Sequence, residues 1–222
     1  MTAWTRAVLL GRSSIGKQLA SLLEKIVPEI IREDLKTYAK AKGDEEERFA
    51  ATFILLRNPA LTPVVRSGLP REAPANEVGG SSNENWWCKG LMPRRAVKAG
   101  THLDAEREEV DIENSPLRLL YTDGRVPHPR FISVEELRKA AREWQALFEA
   151  DDAPVFMTKE VLSWARKHPD DPRVPEALHL AVRSTRFGCA GTDASALSRE
   201  AYQALHGKYP KSPWAAKTKY WY

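Results

Sequence analysis

The chain has 222 residues, 42% hydrophobic and 29% charged, with 34 basic against 30 acidic side chains and a formal charge of +4. That length holds one large domain or two small ones, and the composition is ordinary for a globular protein. The small positive surplus forms no basic block, so charge alone implies neither nucleic acid nor an anionic membrane, and no run of about 18 apolar residues marks a membrane span.

The opening stretch, MTAWTRAVLLGRSS, has four consecutive apolar residues, Ala7 to Leu10. A signal-peptide core needs roughly 7–15. No export signal is therefore expected within this chain. It begins in what reads as the middle of a helix, which suggests a piece of a longer protein. The compartment stays open: periplasm or cell envelope if that protein is exported, cytoplasm otherwise.

GRSSIGKQ, residues 11–18, comes one residue short of the phosphate-binding pattern G-x-x-x-x-G-K-[ST], with Gln18 in the hydroxyl place. A working loop needs a buried strand before it and a hydroxyl for magnesium. Gln18 does not supply the hydroxyl, and Trp4 to Leu10 fits a helical stripe as well as a strand. The reading is a helix ended at Gly11 in a left-handed cap, with Ser13 or Ser14 leading into the next.

Leu19, Leu22, Leu23, Ile26 and Ile30 fall on one helical face of a segment that Pro28 kinks or ends. Phe49, Phe53 and Leu56 mark a further helix, entered through Asp44–Glu47, acids that suit the positive end of the helix dipole, and stopped at Asn58-Pro59.

Residues 66–130 change character. They are rich in Gly, Pro, Ser and Asn and hold no sustained period, which predicts an irregular insert. The adjacent indoles Trp86 and Trp87 argue that part of it packs. A weak strand signal covers Leu117–Tyr121 before the turn Asp123-Gly124.

From Phe131 onward helices return. Ser133 and Glu136 form a capping box, with Ile132 and Leu137 as its hydrophobic staple. Val134, Leu137, Ala141, Trp144 and Phe148 make a core-facing stripe. Thr158 is expected to cap the next helix, with Met157 and Leu162 paired beside it.

HPDDPRVPEALH (168–179) and YPKSPWAAKTKY (209–220) align at an offset of 41, pairing His168 with Tyr209, Pro169 with Pro210, Pro172 with Pro213, Val174 with Ala215 and His179 with Tyr220. Each copy reads as a helix, a proline-bounded turn and a second helix. The first proline closes the outgoing helix, and the second takes the first position of the next, where its missing N–H costs nothing. Helix pairs repeated in this way stack into an array.

The turn Tyr209-Pro210-Lys211-Ser212-Pro213-Trp214-Ala215 resembles the inter-helix turn of tetratricopeptide-like repeats. It is most similar to those of bacterial envelope proteins, such as the outer-membrane assembly lipoproteins and the periplasmic coordinator of the Tol–Pal system. The resemblance covers about the last 65 residues, and FGCAGTD lengthens the unit beyond the usual period of about 34. NENWWC and the ending SPWAAKTKYWY are also similar to the C-terminal part of uncharacterised bacterial proteins with such repeats. The resemblance implies a helical interaction surface of the cell-envelope type and no activity.

Little else reads as chemistry. Cys88 and Cys189 match no zinc or redox spacing. His102, His128, His168, His179 and His206 form no metal-binding pair, and His168 with Asp170 and Asp171 reads as a turn. The lysines and aromatics of the tail, Lys208 to Tyr222, suit single-stranded nucleic acid by stacking and phosphate contact. They suit equally the packing face of a final helix holding Trp214, Tyr220 and Trp221, and that reading is preferred.

The expectation is thus a mainly α protein in three segments: a helical 1–65, an irregular 66–130, and a tetratricopeptide-like 131–222. Its work is non-catalytic binding of another protein or peptide, with no cofactor, no metal, no nucleic acid and no membrane span. Trp86, Trp87, Trp164, Tyr209 and Trp214 are the candidate anchors. Two alternatives stand beside it: a hydrolase sited in the insert around Cys88 and His102 or His128, and a nucleic-acid binder using the tail with Arg94 and Arg95.

Overall fold

The computed structural model describes residues 1–59, 61–63, 87, 133–186 and 193–222. Among the described residues the secondary structure is helical throughout: α1 (Thr2–Leu9), α2 (Ser13–Leu23), α3 (Glu29–Lys40), α4 (Asp44–Arg57), α5 (Val134–Glu149), α6 (Ala153–Lys167), α7 (Val174–Ser184), α8 (Ala194–Lys208) and α9 (Pro213–Lys217). The strand signal at Leu117–Tyr121 lies outside them.

Two compact units share the chain. Residues 90–149 form one, of which α5 is the described part. Its capping box is present: the Ser133 amide donates to Glu136 Oε2 at 2.7 Å, and the Glu136 amide donates to Ser133 Oγ at 3.2 Å. The expected stripe Val134/Leu137/Ala141/Trp144/Phe148 and the staple lie outside the described side chains.

The other unit joins Met1–Lys89 to Ala150–Tyr222. Each of α2 to α4 packs on its predecessor, α4 packs on both α6 and α7, α6 contacts α7 and α8, and α7 contacts α8 and α9. The N- and C-terminal helical segments therefore share one core.

α4 is the hub. Asp44, Glu45, Glu46 and Glu47 lie in its first turn, and every residue from Phe49 to Leu56 is buried. A helix apolar on all sides must have neighbours on all sides. The Phe49 ring stacks on Trp164 of α6 at 4.8 Å and 6°, and Arg57 ends the helix by bridging Glu176 of α7 at 2.8 Å and Asp34 of α3 at 3.1 Å.

Three expectations fail here. Helix α6 starts at Ala153, with Asp152 at its cap position and Pro154 in the first turn, so Thr158 is a buried mid-helix residue and no cap. The reason lies far away in sequence: the carbonyl of Trp87 accepts the Ala153 amide at 3.1 Å, satisfying a helix-start donor from outside the helix. Pro172 sits in the turn before α7, whose second residue is Pro175. Asp171 Oδ1 accepts the Arg173 amide at 2.9 Å within that turn, and α7 begins two residues after Pro172.

The last helix is also short. It stops at Thr218 (φ −104°, ψ 86°), so Tyr220 and Trp221 are not on its packing face; with Tyr222 they follow as an extended, exposed tail.

Candidate functional site

The GRSSIGKQ loop is a helix–helix connection. Helix α1 precedes it where a phosphate site needs a strand. Gly11 adopts φ 63° and closes a Schellman turn, with its amide on Val8 at 3.0 Å and that of Arg12 on Ala7 at 2.8 Å. Lys17 ion-pairs with the buried Glu47 at 3.2 Å and donates to the Ala41 carbonyl at 3.0 Å.

Glu47 also accepts from Ser13 Oγ at 2.6 Å and from the Tyr38 hydroxyl at 3.0 Å. Burial, then the Glu47 bond and charge, push the Tyr38 phenol well above its usual range. A cavity of about 140 Å³ lies beside this cluster, lined by Ala7, Gly11, Ser13, Tyr38 and Glu47 among others. The carboxylate is already met by three donors, so the cluster reads as a structural tie.

Of the proposed anchors, Trp86 lies outside the described residues. Trp87 is buried, donating from Nε1 to the Asp151 carbonyl at 2.9 Å and packing on Phe156. Trp164 is buried between Phe49 and His168, with its Nε1 on Asp171 at 3.0 Å. Both indoles serve the core.

Tyr209 and Trp214 are half-buried and remain accessible. They stand at a turn built like its counterpart. The amides of His168 and Tyr209 donate back to Trp164 and Leu205 at 2.8 and 2.9 Å, and those of Asp171 and Ser212 donate to His168 and Tyr209 at 3.2 and 3.0 Å. Asp171 and Ser212 then both turn a side-chain oxygen onto the amide two residues on, and Val174 and Ala215 are both buried. The pairing ends at His179, which is buried, while Tyr220 is exposed.

The tail after α9 is anchored by two histidines. Thr218 Oγ1 donates to the Trp214 carbonyl at 2.8 Å, which uses its one proton, so His179 Nδ1, at 2.6 Å, is the donor to that oxygen. His206 Nε2 donates to the Thr218 carbonyl at 2.8 Å. Burial, reinforced by Arg183 and Lys217 and opposed by Glu176, lowers the His179 pKa to about 4.

Beyond Thr218 the aromatics spread over α8. Trp221 packs on Tyr202 at 5.2 Å, and the Tyr222 amide donates to Ser198 Oγ at 3.1 Å. Tyr220, Trp221 and Tyr222 stay 62%, 44% and 37% exposed. Cations lie over the rings: Arg186 on Tyr222 at 5.3 Å, Arg199 on Trp221 at 5.8 Å and Lys217 on Trp214 at 4.4 Å. These rings and cations make an aromatic and basic ledge. The sequence showed its aromatics but not Tyr202, Arg186 or Arg199, whose part depends on how the tail crosses α8.

Cys88, Cys189, His102, His128, Arg94 and Arg95 lie outside the described residues. Among those described, no group of three His, Cys, Asp or Glu is placed to hold a metal, and no helix is long and apolar enough to cross a membrane. No family model, curated protein or solved structure matches the chain.

Proposed function

We propose that the chain is a non-catalytic helical scaffold, built from tetratricopeptide-like pairs at its C-terminal end, that binds another protein or a peptide. The observation that carries this reading is the ledge: Trp214, Trp221 and Tyr222, partly exposed and each matched with a cation. Large, rigid aromatics beside Arg are the residue types that dominate binding energy at protein interfaces. The likeness of the turn 209–215 to envelope-type repeats supports the same class and an envelope setting.

A second reading, single-stranded nucleic acid, gains from the finding that Tyr220 and Trp221 lie outside the last helix, next to Lys217 and Lys219. It loses ground on the ring faces. A base stacks on an open face, whereas Trp221 has Arg199 over it and Tyr202 against it.

The test is selection of a displayed random-peptide library on the wild-type chain and on Trp214→Ala/Trp221→Ala. Families of peptides enriched by the first and lost on the second support the scaffold. No enrichment, or enrichment indifferent to the substitutions, overturns it. Oligonucleotide binding that weakens steeply with added salt would favour the second reading.

A further inference from the structure

Among the described residues, the largest exposed aliphatic side chains lie on α2, the turn after it and the start of α3, not on the helices that carry the ledge. Ile15, Leu22, Ile26 and Ile30 are 43%, 62%, 79% and 74% exposed. With the half-buried Leu19, Ile15, Leu22 and Ile26 form one line, because the chain keeps turning helically past the end of α2: the amides of Glu24, Ile26 and Val27 donate to Ala20, Leu23 and Leu23 at 2.9–3.0 Å, whereas Ile30 follows Pro28 in α3. The cause of their exposure is visible on the opposite side of α2. Gly16 and Ala20 are buried there, and a Cβ on Gly16 would meet the Tyr38 hydroxyl at 2.1 Å. Small residues bring α2 close to α3, and the large ones are turned outward.

Ile15, Leu19, Leu22 and Ile26 are spaced 4-3-4. That is the d-a-d-a seam of a helix made to pair with another helix. The spacing reads the same in both directions, so an antiparallel copy sets Ile15 opposite Ile26 and Leu19 opposite Leu22, each an a–d layer.

Beside the seam, exposed Lys25 falls opposite the uncharged Gln18 of the antiparallel copy, so no like charges meet there. The three exposed aliphatics of the seam, with Leu19 between them, also amount to a few hundred Å² of apolar surface, the upper end of what a monomer tolerates. That is the right scale for the apolar centre of a dimer interface burying about 800 Å² per partner, with the polar residues as its rim.

We propose that α2 is a self-association surface: two copies of this chain pair antiparallel along Ile15, Leu19, Leu22 and Ile26, about a two-fold axis between Leu19 and Leu22. The surface is separate from the ledge, so dimerisation and peptide binding stand or fall independently.

Sedimentation equilibrium across a concentration series tests it. The wild type self-associates to a dimer, and Leu22→Glu and Ile26→Glu each weaken it at least tenfold. Both sites are exposed, and circular dichroism checks that helix content is kept. Register is tested in a Cys88→Ser/Cys189→Ser background. An equimolar mixture of Ile15→Cys and Ile26→Cys chains, equilibrated under reducing conditions and then oxidised, yields a disulfide-linked dimer that neither chain forms alone. A wild type monomeric throughout, a dimer indifferent to Leu22→Glu, or Ile15→Cys crosslinking to itself would each overturn the proposal. Binding of a different protein at this face with no dimer would do the same.

Discussion

The Tyr209 hydroxyl donates to the carbonyl of Pro169 at 2.6 Å, across 40 residues of sequence. It joins the two proline turns side by side, so that one turn's aromatic satisfies the other turn's exposed carbonyl. Burial, then the charges of Asp170 and Asp171, push its phenol above the usual value. Arg166 of α6 and Glu200 of α8 pair between helices of the same two hairpins.

Tyr209→Phe keeps the ring and deletes that bond. The site is half-exposed and water can replace the donor, so the loss should be about 0.5–1.5 kcal/mol. Urea unfolding should show a lower midpoint with an unchanged slope. A change in slope would mean that the turns hold more of the unit together than one hydrogen bond implies.

Glu47 should matter far more. Its carboxylate is buried and ties Ser13, Lys17 and Tyr38 into α4. Glu47→Ala leaves three donors without their acceptor and should cost on the order of 3–4 kcal/mol. Glu47→Gln, which keeps an acceptor oxygen, should cost less. Equal losses in the two variants would show that the charge, and neither the packed stem nor the retained oxygen, carries the tie.

His179 gives the unit a pH dependence with a definite sign. Its folded pKa is about 4 against an ordinary value near 6.5. Between those values the unfolded chain takes up a proton that the native state refuses. The contribution is therefore complete above about pH 6.5 and is lost as pH falls through about 4, a total on the order of 3 kcal/mol. Denaturant titrations at pH 7 and pH 4.5 should differ more for the wild type than for His179→Gln. Parallel behaviour would assign the acid sensitivity to other groups.

Features governed by neighbours in sequence were legible. The capping box at Ser133, the acidic entry to α4, the left-handed cap at Gly11 and the start of α9 at Pro213 all follow from local chemistry. What failed needed contacts from elsewhere. The start of α6 depends on a carbonyl from Trp87, and the end of α9 on His179 and His206 closing around Thr218. Periodicity found the aliphatic line on α2 but not its direction, since two faces competed and the small one won. Trp87 and Trp164 looked like anchors because an indole's burial is set by the helices that surround it.

That competition yields a sharp prediction at Gly16. On helix propensity alone, Gly16→Ala should stabilise α2 by roughly 1 kcal/mol. The new methyl would instead meet the Tyr38 hydroxyl oxygen at 2.1 Å, while the ring carbon behind it lies at 3.3 Å. Either α2 moves off α3 or Tyr38 gives up Glu47, and the net effect should be a loss of about 1–3 kcal/mol. Tyr38→Phe removes the clashing atom together with one hydrogen bond to Glu47. In a double-mutant cycle the two changes should be less damaging together than their sum, with a coupling of about 1 kcal/mol or more. Additive losses would mean that the helices do not meet at Gly16, and the outward turn of Leu22 and Ile26 would then lack its cause.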